Sequence, residues 1–380
     1  MKKLLFSLIA AFVFCLSLVA TTNMCVQLKN GNFVRYDVEE VEQVFYEELG
    51  NITPYDTAAI DTFGSPLKFE ITSDSTVMVV ANFLEYRRMV NSPAFYGDTT
   101  YYLPSDSVII IPSKIKIDNK TYQVTKIGQN AFSYWRKLTN IKIPESINII
   151  KDSAFAGCIN LKNIELPNSI TAIGCFAFAG CTKLTSINIP ASVISFGSHW
   201  DLESDVEIWD EKLFCFPFYE CYNLTSINVH QNNPYYSSID GILYDKKKTT
   251  LISTPEGYYK DVVIPTSVDS ICNDAFMKCG KIRNITIPNG IKRIEYNTFF
   301  SCHNLQSINI PESVDKIENY AFYECFSLQI IRIPSNVKFI GQNAFVGCNN
   351  LGIEIDNSKD NVTVENNAFK GCRFVTWLKE

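Results

Sequence analysis

Ala344-Phe345-Val346-Gly347-Cys348 decides the fold, because close variants of it recur along the C-terminal two-thirds of the chain. The phenylalanine of this core falls at 132, 155, 178, 218, 276, 299, 322, 345 and 369. The steps between copies are 23, 23, 40, 58, 23, 23, 23 and 24 residues. A constant stride of this length marks a solenoid. The unit reads Ala-Phe-x-x-Cys-x-x-Leu-x-x-Ile-x-Ile/Leu-Pro-x-Ser-Ile/Val-x-x-Ile-Gly-x-x, filled for example by Phe322, Cys325, Leu328, Ile331, Ile333, Pro334, Val337 and Ile340. One unit cannot bury its apolar residues alone. Stacked on a neighbour, each lies over its equivalent, and the columns form one long core.

Each column has a physical role. Leu-x-x-Ile-x-Ile alternates at its end and predicts a short strand that pairs in parallel with the next coil. Proline after it (144, 167, 190, 265, 288, 311 and 334) lacks an N–H and ends the ladder. Ser-Val/Ile-x-x-Ile predicts a second extended piece, and Gly128, Gly174 and Gly341 suggest a corner with positive φ. Asn130, Ser153, Asp274, Asn297, Asn343 and Asn367 precede the Phe pair and suggest an N-cap for one 3-10 or α turn.

This unit resembles the 23-residue leucine-rich repeat of the BspA-like surface proteins. The likeness is carried by Asn160-Leu161-Lys162-Asn163-Ile164-Glu165-Leu166-Pro167-Asn168-Ser169-Ile170 and by Ile340-Gly341-Gln342-Asn343-Ala344-Phe345, and it covers roughly residues 105–372. The resemblance implies a secreted or cell-surface protein, and some members resemble adhesins for extracellular-matrix proteins and host cells. No shared active site comes with it. The expected fold is a mainly β leucine-rich repeat solenoid, a right-handed superhelix of about ten coils with short 3-10 or α turns and a parallel sheet on its concave face.

Met1-Lys2-Lys3 followed by an apolar run over 4–20 predicts a signal peptide over residues 1–20. No other run is long enough to span a membrane. Residues 21–66 read as a hairpin, with Asn30-Gly31 as its turn, a short acidic helix and a linker. Residues 67–125 read as a β-rich N-terminal cap containing Tyr86, Arg87, Arg88, Phe95, Tyr96, Tyr101 and Tyr102. The solenoid follows over 126–380, with inserts near 198–212 and 231–262. The first insert is acidic and carries Trp200 and Trp209. It lacks the glycine and terminal glutamate of a calcium loop, so a solvated loop is the expectation. The second reads as a hairpin tipped by Lys246-Lys247-Lys248 within an enlarged coil.

Eight of the 13 cysteines (158, 181, 221, 279, 302, 325, 348 and 372) share one column, which asks for a small buried apolar side chain. Cys175 and Cys215 each lie three residues before a repeat phenylalanine and are a candidate disulfide. Catalysis has little to stand on. The three histidines stand in unrelated contexts, and no Cys-x-x-Cys, Gly-x-Ser-x-Gly or phosphate-binding loop occurs. No enzyme activity, cofactor or metal is expected. Net charge is −6, or −8 without Lys2 and Lys3, which argues against nucleic acid. The candidate binding surface is the outward strand position: Lys142, Glu165, Asn188, Asn228, Thr286, Asn309 and Arg332. Its expected partner is an extracellular or host protein, or a glycan. The alternative is a non-adhesive envelope scaffold or glycan-binding accessory protein.

Overall fold

In the computed structural model the described residues are 14–15, 23–27, 33–37, 67–80, 108–117, 120–197 and 216–379. The 198–212 insert with Trp200 and Trp209, the Tyr86 to Tyr102 cluster and Cys215 lie outside them. The signal-peptide reading falls almost wholly outside as well. Of the leader, strands Asn23–Gln27 and Phe33–Asp37 pair antiparallel with Gln27 opposite Phe33, as the hairpin reading requires.

The repeats wind into a β-solenoid of about ten turns. Most regular coils add two short strands to parallel ladders, while residues 161–170, which include Glu165, form none. The Leu-x-x-Ile-x-Ile segments pair as Ser186–Ile189 with Ser226–Val229, and as Ile330–Ile333 with Gly352–Ile355 and then Phe374–Trp377. The Ile-Gly corner forms a second ladder, in which Ile294, Ile317, Ile340 and Val364 follow one another. The N-terminal segment is already woven into this frame. Val108–Ile110 pairs in parallel with Asn140–Lys142, and Lys120–Ile127 runs across the 125/126 boundary to pair with Ile149–Ile150.

The Ala-Phe-x-x-Cys turn is not helical, which corrects the 3-10 or α expectation. Alternate N–H groups are taken by the next coil, Phe155 donating to Ala177 O at 2.7 Å and Gly157 to Ala179 O at 2.7 Å, while Ala156 donates to Ser153 O at 3.0 Å and Cys158 to Phe155 O at 3.2 Å in successive turns. The residues read as N-caps instead stand in the left-handed region, with φ of 56° at Asn130, 58° at Asp274 and 54° at Asn343. Asn and Asp tolerate that region better than other side chains. A second left-handed residue precedes each cysteine, as at Gly347 (φ 82°) and Glu324 (φ 58°). Gly128, Gly174 and Gly341 do not have positive φ. They are glycine for want of room: a Cβ on Gly341 would sit 2.5 Å from Asn319 N.

The phenylalanines form two files of stacked rings. Phe132, Phe155, Phe178 and Phe218 follow at 5.1, 5.3 and 5.6 Å. Phe276, Phe299, Phe322, Phe345 and Phe369 follow at 5.3, 5.1, 5.0 and 6.0 Å. These spacings are close to the ~4.8 Å between paired strands, as a coil-on-coil stack requires. Most of these Phe carbonyls accept from a cysteine of the next coil. Cys158, Cys181, Cys325 and Cys348 donate to the Phe carbonyl of the preceding coil at 3.1, 3.3, 3.1 and 3.0 Å. The column therefore wants a small side chain that also donates, which cysteine is and alanine is not.

The core is divided in two between the files. Residues up to Phe218, Leu224, Ile227 and Leu243 belong to one cluster. Ile242, Tyr244, Leu251 and all later core residues belong to the other. The partition is the second insert, where Tyr236–Ile239, Ile242–Asp245 and Thr250–Ser253 form an antiparallel meander. Alternation along its middle strand sends Leu243 one way and Ile242 and Tyr244 the other. The backbone stack continues through it, since Thr250–Ser253 pairs in parallel with Ser270–Ile271 and Thr254 N donates to Ala275 O at 2.7 Å. The Phe file does not.

Candidate functional site

The sheet face is the surface where regular backbone presents variable side chains. Lys142, Glu165, Asn188, Asn228, Thr286, Asn309 and Arg332 are all exposed. Register completes the row. Lys142 stands beside Ile110, Asn188 beside Asn228, Thr286 beside Val263, and Arg332 beside Glu354 and then Thr376.

Their chemistry differs along the row. Asn228 Nδ2 donates to Asn188 Oδ1 at 3.1 Å. Asn309 turns inward along the sheet: its Nδ2 donates to Ile287 O at 2.8 Å and its Oδ1 accepts from Ile287 N at 2.7 Å. It ties two coils together and leaves little for a ligand. Arg332 lies 3.4 Å from Asp356, which also meets Lys379 at 3.1 Å. Lys379 and Arg332 hold that carboxyl below its usual range. Asp356, like His230, stands where the regular coils have proline, and its N–H extends the ladder to Ile333 O at 2.9 Å.

Sequence reading missed the apolar members of this face. Val263 is 76% exposed, and Ile330 and Phe374 lie open beside the polar row. Phe374 covers Gly352 of the neighbouring strand so closely that a Cβ there would strike its ring. A glycine at an outward strand position was the available signal.

Between Asn228 and Val263 the row opens into a notch of about 350 Å³ lined by Ser226, Asn228, Asp240, Tyr258, Tyr259 and Lys260 among others. The Asp240-Gly241 turn forms its floor, with φ of 50° and 83°, the two positive values of a type I′ hairpin. Gly241 O accepts from Ile227 N at 2.9 Å, and Gly257 N donates to Leu224 O at 2.9 Å.

A second polar cluster sits behind the partition. Lys278 Nζ lies 2.8 Å from Glu220 Oε1, donates to Tyr219 Oη at 2.7 Å and stands over the Tyr219 ring. Glu256 Oε1 accepts from Glu220 N at 2.7 Å. Its Oε2 is buried and has no hydrogen-bond partner among the described residues. Burial pushes this carboxyl up to about 7, against the Glu220 N–H and the Lys278 charge.

Of the proposed disulfide, the structure describes only Cys175, whose thiol donates to Gly197 O at 2.9 Å. Among the described residues no group of three or more His, Cys, Asp or Glu could hold a metal, and no helix is long and apolar enough to cross a membrane.

A stack of short coils with an open sheet face defines a repeat protein of the leucine-rich solenoid class. The chain belongs to the family described as BspA type leucine-rich repeat region, which it matches in six copies over residues 111–207 and 255–376. Among solved structures it is similar to a leucine-rich repeat protein from Eubacterium ventriosum, at 22% identity, covering 82% of each chain with a TM-score of 0.56. It is also similar to the pneumococcal vaccine antigen PcpA, at 16% identity, over 83% of this chain and 97% of that one, with a TM-score of 0.50. A leucine-rich cell surface protein from Faecalibacterium prausnitzii matches at 24% identity over 78% and 94% of the two chains, with a TM-score of 0.46. No curated protein matches.

Proposed function

We propose that this is a secreted or cell-surface protein that binds an extracellular protein through its sheet face, and that it performs no chemistry of its own. The observation that carries the reading is the outward row itself. Charged and amide side chains stand in register on a rigid frame, flanked by the exposed apolar side chains of Val263, Ile330 and Phe374. Interfaces draw their energy from a few such apolar anchors ringed by polar groups. Residues 1–20 are read as the signal that directs export, 67–125 as the cap of the stack, and Trp200 and Trp209 as further contacts from the first insert.

The test is binding of the exported chain to immobilised extracellular-matrix proteins and to its own cell envelope. Val263→Asp, Ile330→Asp and Arg332→Glu are expected to weaken capture by about tenfold each, with the fold intact by circular dichroism. Deleting residues 198–212 measures the share of that insert. Capture unchanged in all three point variants sinks the reading.

A further inference from the structure

The geometry points to a second binding site, for a neutral saccharide ring, in the notch that interrupts the sheet face. This goes beyond the protein-binding reading and does not rest on it. The notch is built by two glycines. A Cβ on Gly241 would lie 2.6 Å from Ser226 Cβ, and one on Gly257 would lie 2.5 Å from Leu224 O. Gly241 lets the meander press against strand Ser226–Val229, and Gly257 lets the segment after the meander press against Leu224, so both walls are fixed by main-chain bonds. Val229 N donates to Ser238 Oγ at 3.0 Å and closes the same corner.

Part of the lining is unspent. Asp240, Tyr259 and Lys260 have no side-chain hydrogen bond or ion pair among the described residues. Asn228 spends its Nδ2 on Asn188 and Ser226, which leaves Oδ1 as an acceptor. Tyr259 is the most exposed described tyrosine, at 62%, while the adjacent Tyr258 is buried. The site thus offers one carboxylate, one ammonium, an amide oxygen and an open aromatic ring.

That set selects a ligand class. One acid and one base cancel, so neither a phosphate nor a metal ion is favoured. The wall is polar and open, so a lipid or aromatic ligand gains little burial. A sugar ring fits both halves of the lining. Its hydroxyls donate to Asp240 and Asn228 Oδ1 and accept from Lys260, while its C–H face lies on Tyr259. A volume of about 350 Å³ is at the lower end of small-molecule sites and suits one or two rings.

The test uses the full chain with glucose, galactose, mannose, N-acetylglucosamine and lactose as probes, read by saturation-transfer NMR and calorimetric titration. At least one is expected to bind, with saturation strongest on the C–H protons of one ring face. Tyr259→Ala is expected to abolish it and Tyr259→Phe to retain it. Asp240→Asn, which keeps a residue suited to positive φ, is expected to weaken it about tenfold. Lys338→Gln, an exposed position that lines neither the notch nor the outward row, is expected to leave it unchanged. Binding by none of the probes overturns the assignment, as does binding that survives Tyr259→Ala, or binding confined to inorganic phosphate and lost at high salt.

Discussion

A cysteine in this fold does a different job from a cysteine in a small secreted domain. Cys325 is wholly buried and donates to Phe299 O, a carbonyl that also accepts from Cys302 N at 3.2 Å. Desolvation holds the Cys181, Cys221, Cys279, Cys302 and Cys325 thiols far from ionisation, and pushes Cys158 up to about 12. Only a thiolate is a good nucleophile. The column thiols are therefore expected to resist iodoacetamide at pH 8 in the native protein and to react fully in denaturant, as counted by mass spectrometry. Cys325→Ala is expected to cost about 1–3 kcal/mol, from the lost sulfur packing and a carbonyl left with one donor fewer. Rapid native alkylation of the column would contradict this. The column, its burial and its spacing were all legible in the chain, because period alone places them. The donor role was not, since it depends on a carbonyl 26 residues away that only the coil geometry brings near.

At the scale of elements, the 236–253 meander is where periodic reading lost its grip. A hairpin and a lysine tip were legible from Asp240-Gly241 and from alternation. That the middle strand would divide the core was not, because sequence shows which residues are apolar and not which of two cores each enters. The carboxyl behind this partition gives the element a pH dependence. Glu256 is raised to about 7 in the folded chain from an ordinary 4.5, and Asp274 to about 6 by burial, against the Asn297 amide. Both folded values lie above the unfolded ones. Their contribution is fully present in acid, below pH ~4, and is lost as pH rises through 6 to 7. Glu256→Gln is expected to flatten the fall in stability between pH 5 and 7, by on the order of 2 kcal/mol. Adding Asp274→Asn should flatten it further, since asparagine already fills that turn position in other coils. Urea midpoints measured from pH 4 to 8 check both, and an unchanged slope in the double variant would count against the burial argument.

For the whole molecule, nearest-neighbour contacts make stability a sum over coils, and the partition makes that sum fall into two blocks. Trp135 lies in the first core and Trp377 packs on the second, so each block carries its own fluorescent reporter. In a variant whose Trp200 and Trp209 are replaced by phenylalanine, single removal of Trp135 or Trp377 is expected to give urea curves with different midpoints. Coincident curves would show that the meander couples the blocks into one cooperative unit. Architecture at this scale was the most legible of all, since a 23-residue stride leaves few alternatives. The sheet face was legible only in part. Its polar row followed from the unit, while Val263, Phe374 and the notch depend on the departures from the unit, which a consensus averages away.

The ladder bonds, from the strands to the Phe N–H and the cysteine thiols, all point along the long axis of the stack. A tether pulling on the two ends would meet them in series, like the steps of a zip, and not side by side. Each coil would then let go alone and release roughly 75 Å of chain for its 23 residues. The fold would yield as an extensible spring long before its cores were lost together.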